Sequence, residues 1–156
     1  VCLQSYIYVT LEADGSCTVE DDGRGIPTEL HKKGVAAARV VLSTLHAGGK
    51  FDNSAYKTSG GLHGVGSSVV NALSKKMDVY ISRNGNVYHD SYEKGVPKTE
   101  LVKGLLPVIA KTKKTGTKIN FLPDDTIIIM VISIVGTPSI GIPSTPVLTY
   151  FCSLRL

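Results

Sequence analysis

The sequence predicts an α+β domain: a two-layer sandwich in which a mixed, mostly antiparallel sheet carries helices on one face. Three observations predict it. Short β-rich runs recur at Tyr6–Leu11, Thr18–Asp21, Met77–Ser82, Val87–Tyr92 and Lys118–Phe121. Asn84-Gly85 lies between two of them, and this dipeptide is a strong short-range hairpin signal. Two further stretches, about Gly34–Thr44 and about Val65–Leu73, read as helices.

In chain order, Tyr6–Leu11 opens the sheet. Ser16-Cys17-Thr18-Val19-Glu20 follows, with β-formers running into the turn Asp21-Asp22-Gly23-Arg24-Gly25-Ile26-Pro27. Asp21 therefore stands where a strand meets a glycine-rich turn. A carboxylate only accepts, so it can take a hydrogen bond from an exocyclic amine such as that of adenine. Gly23 and Gly25 leave room for a flat ring against the backbone. Taken alone, an Asp-Gly turn is commonplace.

After the first helix, Leu45–Ser59 forms a long connection, unusual in a compact domain, and reads as a lid over a ligand. Gly60-Gly61-Leu62-His63-Gly64-Val65-Gly66 comes next and leads into Ser67-Ser68-Val69-Val70-Asn71-Ala72-Leu73. Gly61, Gly64 and Gly66 are spaced G-x-x-G-x-G. That order reverses the dinucleotide fingerprint, and the run lacks the Gly-Lys-Ser/Thr ending of a P-loop. Both common nucleotide folds are disfavoured. Glycines that let backbone N–H groups approach a ligand, ahead of a helix N-terminus with unpaired donors, nevertheless suit a triphosphate. Beyond the second helix come the hairpin strands, a loop, and the strand Lys118–Phe121.

The length of 156 residues suits one domain, and a chain of this size buries roughly 68–70% of its unfolded surface; residues 1–125 read as that domain. Residues 126–156 differ in kind. Thr126–Val135 is nearly all apolar, and Arg155 is the only charged side chain after Asp125. The run is too short for a membrane helix of about 20 residues. It fits a buried strand, and it is also the low-charge, β-rich kind of window that aggregates. Pro138, Pro143 and Pro146 disfavour a regular continuation. The expectation is a segment foreign to the domain, such as a shifted reading frame or a gene fragment would give.

The net charge of +4 permits nucleic-acid contact without demanding it. Lys32-Lys33, Lys75-Lys76 and Lys113-Lys114 are scattered and not interleaved with aromatics, so no specific DNA contact is expected from this segment. Cys2, Cys17 and Cys152 are odd in number and far apart, which gives neither a disulfide framework nor a zinc site and fits a reducing cytoplasm. No charged-apolar-small leader opens the chain.

Three segments carry a family resemblance: Asp21–Pro27, Leu45-His46-Ala47-Gly48-Gly49-Lys50-Phe51, and Tyr56-Lys57-Thr58-Ser59 running into Gly60–Gly66. Together they resemble the ATPase domain of the DNA gyrase B protein and, nearly as well, that of the B protein of topoisomerase IV. Both belong to the GHKL superfamily with histidine kinases and Hsp90. The resemblance covers about Tyr6–Pro123 and implies an incomplete GHKL (Bergerat) ATP-binding fold. It implies ATP with Mg²⁺ as cofactors and ATP-driven change of DNA topology, that is, supercoiling or decatenation. For the whole protein it implies DNA, a DNA-cleaving A-type subunit and a second B-type subunit as partners.

By the same resemblance Asp21 would accept from the adenine amine, with Thr117 in Thr115-Gly116-Thr117 supporting that contact. Gly25, Ile26 and Pro27 would line the adenine pocket. Arg24 and Arg83 would border it and contact aminocoumarin inhibitors. Lys50 would be a lid lysine near the phosphates, and Leu62, His63, Gly64, Val65 and Gly66 the phosphate cradle. The family's catalytic glutamate and magnesium-holding asparagine form an E-x-x-x-N motif ahead of the first strand. Here Val1-Cys2-Leu3-Gln4-Ser5-Tyr6 has none, and Glu12, Glu20 and Glu29 do not occupy the position. General-base catalysis is worth about 10²–10⁴-fold, so little hydrolysis is expected. The chain by itself is then an ATP-binding module without turnover, or a poorly folding fragment.

Overall fold

The computed structural model describes residues 6–44, 66–134 and 148–154. The elements are β1 (Ile7–Leu11), β2 (Cys17–Asp21), α1 (Ala37–Ser43), α2 (Gly66–Ala72), β3 (Ser74–Arg83), β4 (Asn86–Glu93), β5 (Val96–Pro97), β6 (Val108–Lys111), β7 (Gly116–Pro123), β8 (Ile128–Ile134) and β9 (Leu148–Leu154). They divide into two compact units, Val1–Pro123 and Asp124–Leu156.

In the first unit, alternation builds the sheet. Along β3 the buried Met77, Val79 and Ile81 alternate with the half-buried Asp78, Tyr80 and Ser82, the period-two pattern of a strand with one packed face. The order is β1-β2-β7-β3-β4-β5, with β6 also on β4, and every pairing is antiparallel. β7, last of these in sequence, is inserted between β2 and β3. Register then aligns packed rows across three strands: Phe121, Met77 and Tyr92; Ile119, Val79 and Asp90; Thr117, Ile81 and Tyr88. Against these rows pack Ala36, Ala38 and Leu42 on and beside α1, together with Leu106. The helices thus cover one face, as the alternation requires.

The other face is polar. Asn120 donates to Ser16 and Thr18, and Thr18 donates to Glu12. Asp78 meets Lys76 and His89, and the His89 ring stacks on Tyr80.

Both helices have seven residues, too short to persist alone. Tertiary contacts hold them. Arg39 of α1 binds the fully buried Asp90 through two nitrogens and also donates to the Thr99 carbonyl. Tyr92 donates to the same carboxylate, and burial with that neighbouring charge pushes its phenol far up. Asn71 of α2, also buried, donates to the Leu42 carbonyl and links the two helices.

Several boundaries differ from the sequence reading. The first helix starts at Ala37 rather than Gly34. Gly34 has φ +78° in a tight turn closed by its N–H to His31, and Leu30 bridges Ala36. β3 begins at Ser74, directly after α2, and β7 at Gly116. β5 and β6 are additional strands in what read as a loop. The Asn84-Gly85 hairpin turn has positive φ at both residues (52° and 78°), the geometry that two-residue hairpins favour.

The second unit is a two-stranded antiparallel sheet, with Ile128 opposite Leu154 and Ile134 opposite Leu148. Within the apolar run, Ile128–Ile134 is a strand. β9 is a regular element that the proline pattern argued against, and it begins past the last proline, Pro146. Pro138, Pro143 and Pro146 themselves lie outside the described residues. Among the described residues no helix is long and apolar enough to cross a membrane.

Candidate nucleotide site

Asp21 closes β2 and pairs in register with Thr117, while Thr117 pairs on its other side with Ile81 of β3. Side chains alternate faces, so Asp21 and Thr117 leave the sheet on the packed face, in line with Val19, Ile119 and Val79. Asp21 is half-buried and Thr117 buried. One Asp21 oxygen accepts the Gly23 N–H at 2.8 Å. The other has no hydrogen bond among the described residues. The Thr117 hydroxyl accepts the Ile26 N–H at 3.3 Å, which leaves its own proton to donate. An acceptor and a donor therefore stand side by side at one end of the sheet.

The turn from Asp22 to Pro27 closes over this end. A Cβ at Gly25 would lie 2.8 Å from the Ser82 carbonyl oxygen and 3.1 Å from that of Gly116, and Gly25 has φ +74°. Only glycine fits there. Gly116 has φ +144°, and a Cβ on it would overlap the Asp21 carbonyl oxygen. Two glycines thus bring the turn and the end of β7 into backbone contact. Ile26 packs on the core, Pro27 is half-buried and Thr28 is buried.

Arg83, at the end of β3, reaches over the same turn. Its Nη1 donates to the carbonyls of Arg24 (3.2 Å) and Gly25 (3.0 Å). Its Nε and Nη2 donate to Glu29 Oε1 at 3.3 and 3.2 Å. The Glu29 carboxyl is held below its usual range, chiefly by its own backbone N–H and then by Arg83, against an opposing effect of burial. Arg24 itself points to solvent.

The structure thus gathers Asp21, Arg24, Gly25, Ile26, Pro27, Arg83 and Thr117 at one end of the sheet. Gly66 is the first residue of α2, and a Cβ there would meet nothing within 4 Å among the described residues. Lys50, Leu62, His63, Gly64 and Val65, with the Leu45–Ser59 connection, lie outside the described residues. Glu29, the Gly116 contact and the Arg39–Asp90 pair escaped the sequence reading. A glycine directly before a β-rich run was the available sign of the second; the two ion pairs leave no local pattern. Among the described residues no group of three or more His, Cys, Asp or Glu converges on a metal position.

An antiparallel sheet with helices on one face is the α+β architecture of the GHKL ATPase fold. The chain belongs to the family of histidine kinase-, DNA gyrase B-, and HSP90-like ATPases, whose profile matches residues 3–127. It is 57% identical to the B-type subunit of DNA topoisomerase 4 from Staphylococcus aureus strain MW2 over 122 residues, 78% of this chain and 18% of that protein. The same protein from strain Mu50 / ATCC 700699 is 56% identical over the same length and shares. The chain thus spans under a fifth of the length of these curated relatives.

Proposed function

We propose that this domain binds ATP, carried with Mg²⁺, as the nucleotide-responsive part of the B-type subunit of a type II DNA topoisomerase. The Asp21–Thr117 rung carries the reading. Its open carboxylate oxygen suits the adenine amine, and its hydroxyl proton suits a ring nitrogen or a bridging water. Gly25, Ile26 and Pro27 supply the floor, and Arg24 and Arg83 the rim. Lys50 and the run Leu62–Gly66 are assigned to the phosphates on the strength of the motif. In the whole protein, ATP binding would close a dimer with a second copy of the same subunit and drive DNA passage through the paired DNA-cleaving A-type subunit, in the cytoplasm.

Turnover needs a group that activates water. Glu12 accepts from Thr18, Glu29 pairs with Arg83, and Glu20 leaves β2 on the face opposite Asp21. Binding and orientation of the nucleotide are therefore the roles these residues carry.

Calorimetric titration of ATP and Mg²⁺ into the chain, beside Asp21→Asn, tests the reading. The amide should weaken binding by about 1.5–3 kcal/mol, the worth of a charge-assisted hydrogen bond, or about 10- to 150-fold. Equal affinity of the two proteins would remove Asp21 from the site.

A further inference from the structure

The Arg83 guanidinium is almost fully engaged within the protein. Of its five N–H groups, two turn inward to the Arg24 and Gly25 carbonyls and two reach Glu29 Oε1. The pair is only partly screened from water: the Arg83 side chain is 25% exposed and that of Glu29 55%. Glu29 is anchored from behind. Its carbonyl accepts the N–H of Ala37, the first residue of α1, and its neighbour Thr28 is buried. That bond fixes the Glu29 backbone, so only the side chain itself can turn. With four Arg83 N–H groups already engaged, a ligand that takes Arg83 through a planar, two-oxygen contact must displace Glu29 or the two carbonyls.

We propose that Glu29 is a specificity-determining residue of the pocket rim: it tethers Arg83 over the Arg24–Gly25 turn and so disfavours adenine-site ligands that extend past Gly25 with a carbonyl or carboxylate acceptor, relative to the nucleotide itself. This rests on the nucleotide reading of the site. It acts through Arg83 and leaves the Asp21–Thr117 rung untouched.

Two measurements on the full chain test it. In the first, ATP and an aminocoumarin are titrated into the unaltered protein, Glu29→Gln, Arg83→Gln and the double variant. Glutamine keeps the shape and removes the charge. For a partly exposed pair the gain is modest, and Glu29→Gln should bind the aminocoumarin about two- to fivefold tighter while ATP affinity stays within about twofold. The gain should vanish in the Arg83→Gln background and shrink with added salt. An equal change for both ligands, weaker aminocoumarin binding, or a gain that survives loss of Arg83 overturns the proposal. In the second, Arg83 modification by phenylglyoxal is followed by peptide mass mapping, without ligand. Glu29→Gln should raise the rate several-fold, and an unchanged rate overturns the tether. A chain that binds neither ligand overturns the nucleotide reading, and the modification rates then decide the tether by themselves.

Discussion

Asp21 and Thr117 share one rung of the β2–β7 ladder, and both project onto the packed face, where the next rung inward is Val19 against Ile119. Two polar side chains thus cap an apolar row. Each has a partner in the turn, Gly23 for the carboxylate and Ile26 for the hydroxyl, and each keeps capacity for one more.

That geometry predicts coupling. Thr117→Val keeps the shape and removes the hydroxyl, and it should lower ATP affinity by about 0.5–1.5 kcal/mol. Combined with Asp21→Asn, the losses should depart from additivity by more than about 0.5 kcal/mol, as for residues that meet one ligand group. Strictly additive losses in a calorimetric cycle would mean that the two contact the nucleotide independently.

Gly116 is predicted to resist substitution. An alanine would set its Cβ on the Asp21 carbonyl and force an L-residue to φ +144°. Such backbone costs about 1–3 kcal/mol before any clash is counted. Urea unfolding should show Gly116→Ala destabilised by at least about 2 kcal/mol, whereas Gly66→Ala, on a helix and with no described residue within 4 Å of the added Cβ, should leave stability unchanged or raise it by up to about 1 kcal/mol.

The Arg39–Asp90 pair fastens α1 to the sheet, with the carboxylate fully buried and the arginine side chain 13% exposed. Removing one partner of such a pair leaves an uncompensated charge, at a cost of about 3–5 kcal/mol. Asp90→Ala should reach that range in chemical denaturation. Adding Arg39→Met should recover part of the loss, since the stranded cation is then gone. A double variant less stable than Asp90→Ala would contradict this account.

Asp78 gives a pH dependence. Burial raises its carboxyl, but bonds and charge from Lys76 and His89 outweigh that and leave it below the ordinary value. A group depressed in the folded state stabilises above its unfolded pKa, about 3.9, and loses that contribution as pH falls through the folded value. The gap in urea midpoint between the unaltered chain and Asp78→Asn should be steady above about pH 5 and narrow progressively below about pH 4. A gap that does not narrow at all as pH falls below about 4 would assign the effect to packing.

Much of this was legible in the sequence because the signals are local. Alternation marks β3, positive-φ residues mark the Asn84-Gly85 turn, and a carboxylate ahead of two glycines marks the Asp21–Pro27 turn. What stayed hidden is non-local. β5 has two residues, and β6 joins β4 through a shifted register, so neither carries a pattern of its own. β7 begins at a glycine, a poor strand former that is required there by a carbonyl from β2. Glu29 finds Arg83 across 54 residues, and Arg39 finds Asp90 across 51.

The insertion of β7 between β2 and β3 has a consequence in time. The β1–β2 and β3–β4 hairpins close over short stretches of chain, whereas Ile26 meets Thr117 across 91 residues. Synthesis runs from the N-terminus, so both hairpins can emerge from the ribosome before the strand that joins them exists. Until Gly116–Pro123 arrives, Asp21 and Thr117 belong to separate pieces, and the slow closure of long loops sets when they meet.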